Sequence, residues 1–136
     1  MIVELVSVGT ELLLGNIVNT NTQYLAEQCA LLGLSLYHQS VVGDNHDRLA
    51  EVVKTALGRS DVVILTGGLG PTEDDLTKEV CAEVMGYKLV EDPHTREHLE
   101  QFFKNNIYKE IPDNNWKQAM VPEGALVLDN HNGMAP

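Results

Sequence analysis

The sequence predicts an α/β fold in one domain, a three-layer αβα sandwich with a mostly parallel sheet, and three observations predict it. Short apolar runs alternate with stretches of helical periodicity, a glycine closes each of the first three helices, and each of the first three runs ends in a turn rich in Gly, Asp or Asn. Parallel strands need a crossover between them, and the helices supply it while covering both faces of the sheet. Ligands in such folds sit beyond the carboxyl ends of the strands. Gly9 to Glu11, Gly43 to Asn45 and Thr66 to Asp75 occupy those ends.

Ile2 to Val8 is a buried strand ending at Gly9, and Asn19 to Leu32 carries apolar residues at helical spacing until Gly33 stops it. Leu34 to Val42 returns as a strand into Gly43-Asp44-Asn45. Leu49, Val52, Val53, Ala56 and Leu57 then mark one face of a second helix, which ends at Gly58. Asp61 to Leu65 is a short, continuously apolar strand, and Leu76 to Val84 forms a third helix stopped by Gly86. Pro93 opens a helix to Asn105, Pro112 breaks the chain, Asn114 to Met120 reads as helical and Ala125 to Leu128 as another strand.

Composition narrows the function classes. With 136 residues, 43% of them apolar and 5% aromatic, the chain has room for one domain with a sizeable core and is not a disordered segment. Nine Lys and Arg against 20 Asp and Glu leave a net charge of -11. That balance opposes attraction to nucleic acid or to an anionic membrane, so direct nucleic-acid contact is not expected. No apolar run approaches the roughly 18 residues of a membrane span, and no basic stretch precedes an apolar one at the N-terminus. A cytoplasmic location is the consequence. Cys29 and Cys81 fall inside expected helices at no metal-binding or redox spacing, so both are expected as reduced, packed thiols.

The segment Thr66-Gly67-Gly68-Leu69-Gly70-Pro71-Thr72-Glu73-Asp74-Asp75-Leu76-Thr77 carries the chemistry. Its glycines lack the side chains that would keep an anion off the backbone N–H groups, and the following helix aims its positive end at the same spot. Asp74 and Asp75 would repel a bare phosphate. A site using both the glycines and the acids therefore calls for a divalent cation between them.

These residues resemble the competence/damage-inducible protein A (CinA) family, in its N-terminal domain, which has the MoaB/MogA-like molybdopterin-binding fold. The likeness runs through Gly9-Thr10-Glu11-Leu12-Leu13-Leu14-Gly15, Asn19-Thr20-Asn21, Val42-Gly43-Asp44-Asn45, the stretch Thr66 to Thr77, Asn115 with Gln118-Ala119, and Gly133-Met134-Ala135-Pro136. Those segments span nearly the entire chain, and the domain is read as residues 1–136. Full-length members add a C-terminal nicotinamide-nucleotide deamidase domain, which has no counterpart in this sequence. The family's first domain also continues past a Gly-x-Ala-Pro-Gly segment into a Pro-Gly-rich loop, so the chain reads as that domain cut short. Met134 stands where the family usually has Thr.

The resemblance implies a metal-dependent ADP-ribose pyrophosphatase that releases AMP and ribose 5-phosphate, with Mg²⁺ as the expected cofactor. Hydrolysis of a phosphoanhydride needs neutralised phosphoryl oxygens, an aligned water, and a base or metal to activate that water. Asp44 and Asp75 are the candidates for catalysis and metal binding, since aspartates at the matching positions are the functional acids of related molybdopterin-handling enzymes. Gly67, Gly68 and Gly70 would present amides to phosphate, with hydroxyls from Thr10, Thr66 and Thr72. Glu11 would add a third carboxylate, Asn19 and Asn21 would meet ribose or phosphate oxygens, and Lys78 would offset product charge. A homo-oligomer is expected, as is common in that superfamily. The alternatives are molybdopterin binding or adenylylation, and a non-catalytic nucleotide-binding module.

Each residue also has a structural role open to it. Thr72 and Asp75 have the spacing of a helix capping box, worth about 0.5–2 kcal/mol. Asp74 fits a solvated acid at a helix start, Asp44 with Asn45 a turn and cap, Glu11 a turn, Asn19 or Asn21 an N-cap, and Lys78 a solvated helix lysine. His94-Thr95-Arg96-Glu97-His98 matches the H-x-x-E-H string of inverted zinc proteases, but no third ligand follows and a short solvated helix accounts for it. Trp116 is expected to pack against the domain.

Overall fold

β1 (Ile2–Val8) is the centre of the first unit of the computed structural model, in which residues 1–105 and 111–135 are described. It pairs in parallel with β2 (Ser35–Val42) on one side and β3 (Val62–Thr66) on the other, giving the strand order β2-β1-β3. Val3 and Leu5 point to one face, where Cys29, Leu25 and Ala26 of α2 (Thr20–Leu31) cover them. The alternate residue Glu4 meets Arg59 and Ser60, which follow α3 (His46–Leu57). With side chains alternating along a strand, this puts a helix layer on each face of a parallel sheet, the expected three layers. A short helix α1 (Thr10–Leu13), absent from the sequence expectation, occupies the turn after β1.

Local chemistry places the helix ends. The Asn19 side chain accepts from Thr22 N at 3.2 Å and that of Asn45 from Arg48 N at 3.1 Å, so each asparagine caps its helix. Gly33 takes φ +69°, a left-handed conformation that suits a glycine stop.

Glu4 is 1% exposed inside an apolar strand, and it is tolerated because Arg59 donates to it twice, at 2.8 and 2.6 Å, with Ser60 Oγ 3.1 Å away. The Arg59 bonds outweigh burial and hold the Glu4 carboxyl below its ordinary range. A carboxyl depressed on folding contributes stability above its unfolded pKa and loses it as pH falls through the folded value. Arg59→Met is therefore expected to destabilise the chain at neutral pH by about 2 kcal/mol. That is less than the roughly 3–5 kcal/mol of a fully buried pair, because the Arg59 side chain is 39% exposed. Urea denaturation should show this deficit shrinking as pH falls, first as the buried, unpaired Glu4 of the variant protonates and last as the Arg59-bound Glu4 of the wild type does. A deficit independent of pH would contradict the account.

The chain divides into two compact units after Gly68, and Leu69–Pro136 is the second. It holds α4 (Thr77–Met85), β4 (Leu89–Glu91), α5 (Pro93–Asn105), a 3₁₀ helix over Asp113–Ala119 and β5 (Met120–Pro122). β4 and β5 pair antiparallel, with Val90 opposite Val121. Its buried apolar side chains include Val80, Ala82, Leu99, Phe103, Ala119 and Val121. Gly86, at φ +76°, stops α4 as expected. Asp92 caps α5, its carboxylate accepting from Thr95 N at 2.8 Å and Thr95 Oγ1 at 2.6 Å.

One expectation is corrected here: Ala125 to Leu128 is not a strand. The helical reading of Asn114 to Met120 holds as a 3₁₀ helix over Asp113–Ala119, with Met120 already in β5. A strand needs a partner for its backbone groups, and among the described residues none pairs with 125–128. The proline of the closing Gly-Met-Ala-Pro segment, Pro136, lies outside the described residues. Trp116 packs as expected, with the Arg96 guanidinium 4.3 Å from its ring centroid.

Candidate functional site

In the first unit, the carboxyl ends of β1 and β3 open onto a cleft of about 140 Å³. Five of the residues singled out from the sequence line it: Glu11, Asn19, Asn21, Thr66 and Gly67. β1 and β3 are the neighbours between which the strand order reverses, the position where open α/β sheets bind ligands. Val8, Leu12, Ile17 and Val18 make the apolar part of the wall, and the N-terminus of α2 brings Asn19, Thr20 and Asn21 to the polar part. Gly67 is required there. Its φ is +88°, and a Cβ would lie 2.0 Å from the Val8 carbonyl oxygen.

Thr10 and Asp44 come together in the same unit. Thr10 N and Oγ1 donate to Asp44 Oδ2 at 2.9 and 2.8 Å, and Asp44 N donates back to Thr10 Oγ1 at 3.2 Å. Asp44 thus ties the turn after β2 to the turn after β1, while capping falls to Asn45. Glu11 lies against Gly9, where a Cβ would approach its Oε1 to 2.7 Å. Gly68, at φ +63°, is the last residue of this unit.

Gly70, Thr72, Asp75 and Lys78 belong to the second unit. Asp75 Oδ2 accepts from Thr72 N at 3.0 Å and Thr72 Oγ1 at 2.6 Å, and the Gly70 amide also donates to this carboxylate. α4 begins only at Thr77, so the Thr72–Asp75 pair closes a turn within the loop and does not cap the helix. Gly70 fits because a Cβ would lie 2.6 Å from Asp75 Oδ2. Burial pushes the Asp75 pKa up, but bonds from Thr72 and Gly70 and the nearby Lys117 charge win and leave it lowered. Asp75 is a held carboxylate anion. Lys78 is not a plain solvated helix lysine: its Nζ donates to the carbonyls of Gln118 at 2.9 Å and Lys117 at 3.4 Å, and burial lowers its pKa. Asp74 is exposed in the turn before α4.

Sequence reasoning missed Lys117 and Ser7. Lys117 Nζ donates to Thr72 O at 2.8 Å and to Asp75 O, and lies 3.5 Å from a Glu79 oxygen, so it pins the turn that presents Asp75. Its signal was its place between Asn115 and Gln118, both buried. Ser7 was marked only by being a hydroxyl between Val6 and Val8 in an apolar strand.

Among the described residues no three His, Cys, Asp or Glu side chains gather as a metal centre. The donors present fit a different kind of cation. Mg²⁺ keeps most of its shell as water and phosphate oxygen and needs only one or two carboxylates, the donor type that Asp44 and Asp75 supply. The H-x-x-E-H string builds no such centre either: His94 Nε2 lies 2.8 Å from Asp129 Oδ1, beside a cavity of about 230 Å³ that His98 and His131 also line.

Residues 4–134 match the family described as "Probable molybdopterin binding domain". The chain is 57% identical over 136 residues to a "Putative competence-damage inducible protein" of Symbiobacterium thermophilum, and 53% over 133 residues to one of Alkaliphilus oremlandii. These alignments cover 100% and 98% of this chain but 32% of each relative, so the chain spans about a third of their length. The solved CinA of Thermoplasma acidophilum, a protein of unknown function, superposes with a TM-score of 0.91 at 30% identity, covering 99% of this chain and 78% of that one. MoaB of Thermus thermophilus, a molybdopterin biosynthesis enzyme, shares the fold at a TM-score of 0.58 and 17% identity, over 89% of this chain and 78% of its own. No helix among the described residues is long and apolar enough to cross a membrane. The chain belongs to the molybdopterin-binding-domain family, among its competence-damage inducible, CinA-type members.

Proposed function

We propose that this chain hydrolyses ADP-ribose to AMP and ribose 5-phosphate with the help of a divalent cation, Mg²⁺. The observation that carries this reading is Asp75: an anionic carboxylate, oriented through one oxygen by Thr72 and backed by Lys117 through the carbonyl of its own residue. Such a group can accept a proton from an attacking water. The bound cation would neutralise charge on the pyrophosphate oxygens and lower the pKa of a water. Asp44 in the first unit and Asp75 in the second are each a carboxylate of the type that would ligate such a cation. In the first unit, the Asn19 and Asn21 side-chain amides offer donors to ribose or phosphate oxygens, and Glu11 and the Thr66 hydroxyl oxygen accept from hydroxyls. Gly67 lines the same cleft, with Gly68 next to it.

The family description and the likeness to MoaB favour a second reading, binding or adenylylation of a molybdopterin. A small-molecule ligand is common to both. A cytoplasmic location and a homo-oligomer complete the proposal. The first is supported by Cys29 and Cys81 as free thiols, and the second by apolar side chains that α2 leaves exposed, Tyr24 and Leu31 among them.

AMP release from ADP-ribose, with Mg²⁺ and with chelator, tests the proposal on the wild type and on Asp75→Asn. Chelator-sensitive release lost in the variant is the expected result. Absence of release from a well-folded wild type, together with tight molybdopterin binding, would replace hydrolysis by the second reading. Nucleotide affinity without turnover, surviving the substitution, would leave a binding module.

A further inference from the structure

Ser7 is 1% exposed near the end of β1, among Leu5, Val6 and Val8, where a small apolar residue would bury at no polar cost. Its hydroxyl is instead the junction of a network. Asn19 Nδ2 lies 2.9 Å from Ser7 Oγ, Thr22 Oγ1 2.8 Å and Thr66 Oγ1 3.4 Å. Thr22 N can only donate, and it donates to the Asn19 amide at 3.2 Å, which identifies that end as Oδ1 and turns the NH₂ group to Ser7. Asn19 and Thr66 both donate to Ser7 Oγ and fill its two acceptor positions, so the Ser7 proton goes to Thr22 Oγ1. Asn19 is thereby held at both ends of its amide, with one N–H left for whatever enters the cleft. Thr66 is the β3 residue paired with Ser7 in the sheet register.

We infer that Ser7 is a positioning residue of the first-unit cleft: its buried hydroxyl sets the orientation of Asn19 and Thr66, two side chains that line the wall and would meet ligand oxygens. The inference deepens the proposed nucleotide site and rests on it for the identity of the ligand. Ser7 does not line the cleft itself, so its effect on binding passes through Asn19 and Thr66.

AMP serves as the probe, with affinity read by calorimetry and the Asn19 side-chain amide by ¹H–¹⁵N correlation spectra of the unliganded protein. Ser7→Ala is expected to weaken AMP binding about tenfold, the scale of one lost hydrogen bond, and to move the Asn19 resonances toward those of a solvated amide. Ser7→Cys, close in size and a poor acceptor, should reproduce both effects if alanine packs badly. Thr22→Val is the control. It disturbs the same buried network but keeps the bonds of Asn19 and Thr66 to Ser7, so it should lower the melting temperature while changing AMP affinity less than twofold. Unmoved Asn19 resonances and unchanged affinity in both Ser7 variants would overturn the inference, as would equal affinity losses in Ser7→Ala and Thr22→Val. If the wild type does not bind AMP, the nucleotide reading fails by itself, and the Asn19 resonances, which need no ligand, still decide the role of Ser7.

Discussion

Asp75→Asn is expected to lower AMP release from ADP-ribose by about three orders of magnitude, within the range typical of losing a general base, and to leave the fold intact. The two consequences separate because the carboxylate does two jobs. Its Oδ2 receives Thr72 N and Thr72 Oγ1, and an asparagine oxygen can receive the same donors in the same place. The turn should therefore survive, with a stability loss of about 1 kcal/mol or less. What asparagine lacks is the charge and the basic oxygen. Because the Asp75 pKa is lowered, the wild-type side chain is ionised at neutral pH and stays so into the acid range, below the ordinary aspartate value of about 3.9. The acid limb of the wild-type pH–rate profile should accordingly lie below that value if Asp75 is the group that titrates. Stopped assays of AMP across pH, with thermal melts of both proteins, check all of this. A variant that melts like the wild type and still releases AMP at a comparable rate would reduce Asp75 to a turn-closing residue.

Gly67→Ala is expected to be the most destabilising of the simple glycine substitutions, by at least about 3 kcal/mol more than Gly33→Ala. Both glycines have positive φ, +88° and +69°, so both pay the conformational cost of a Cβ in that region, about 1–2 kcal/mol. They differ in what the new methyl group would meet. Around Gly33 there is nothing within 4 Å. At Gly67 the methyl carbon would sit 2.0 Å from the carbonyl oxygen of Val8. That oxygen belongs to the last residue of the central strand, paired on both sides, and no rotamer change can relieve the clash. Urea denaturation of the two variants measures the difference. Equal losses would mean that the β3 turn shifts freely, and that the cleft it lines is not rigidly formed.

Much of the first unit was legible in the sequence because its determinants are local. The run Ile2 to Val8 needs cover on both faces, asparagines stand at the helix starts and glycines at the stops, and these signals act over a few residues. Asp75 was half legible for the same reason. Its partner Thr72 is three residues away and the spacing announces the pair, but only the later start of α4 shows that the pair closes a turn and caps nothing. Asp44 shows the limit of such reading: its partner Thr10 lies 34 positions back, brought near by the β1–β2 pairing. Lys78 shows it again. As a helix lysine near a glycine loop it reads as free for a phosphate, yet its ammonium is bound to carbonyls 39 and 40 residues away. β4 and β5, three residues each, carry too little pattern to be read, and 125–128 has a strand pattern but no strand partner among the described residues. The sequence by itself determined the alternation of strands and helices and the turns on which the candidate residues sit, since backbone preference and apolar periodicity act within one or two turns of chain. Only the tertiary structure decided which oxygen each acid commits, which lysine backs Asp75 and which hydroxyl steadies Asn19, because hydrogen-bond partners are chosen by proximity in space, and packing brings together groups that the chain keeps tens of residues apart.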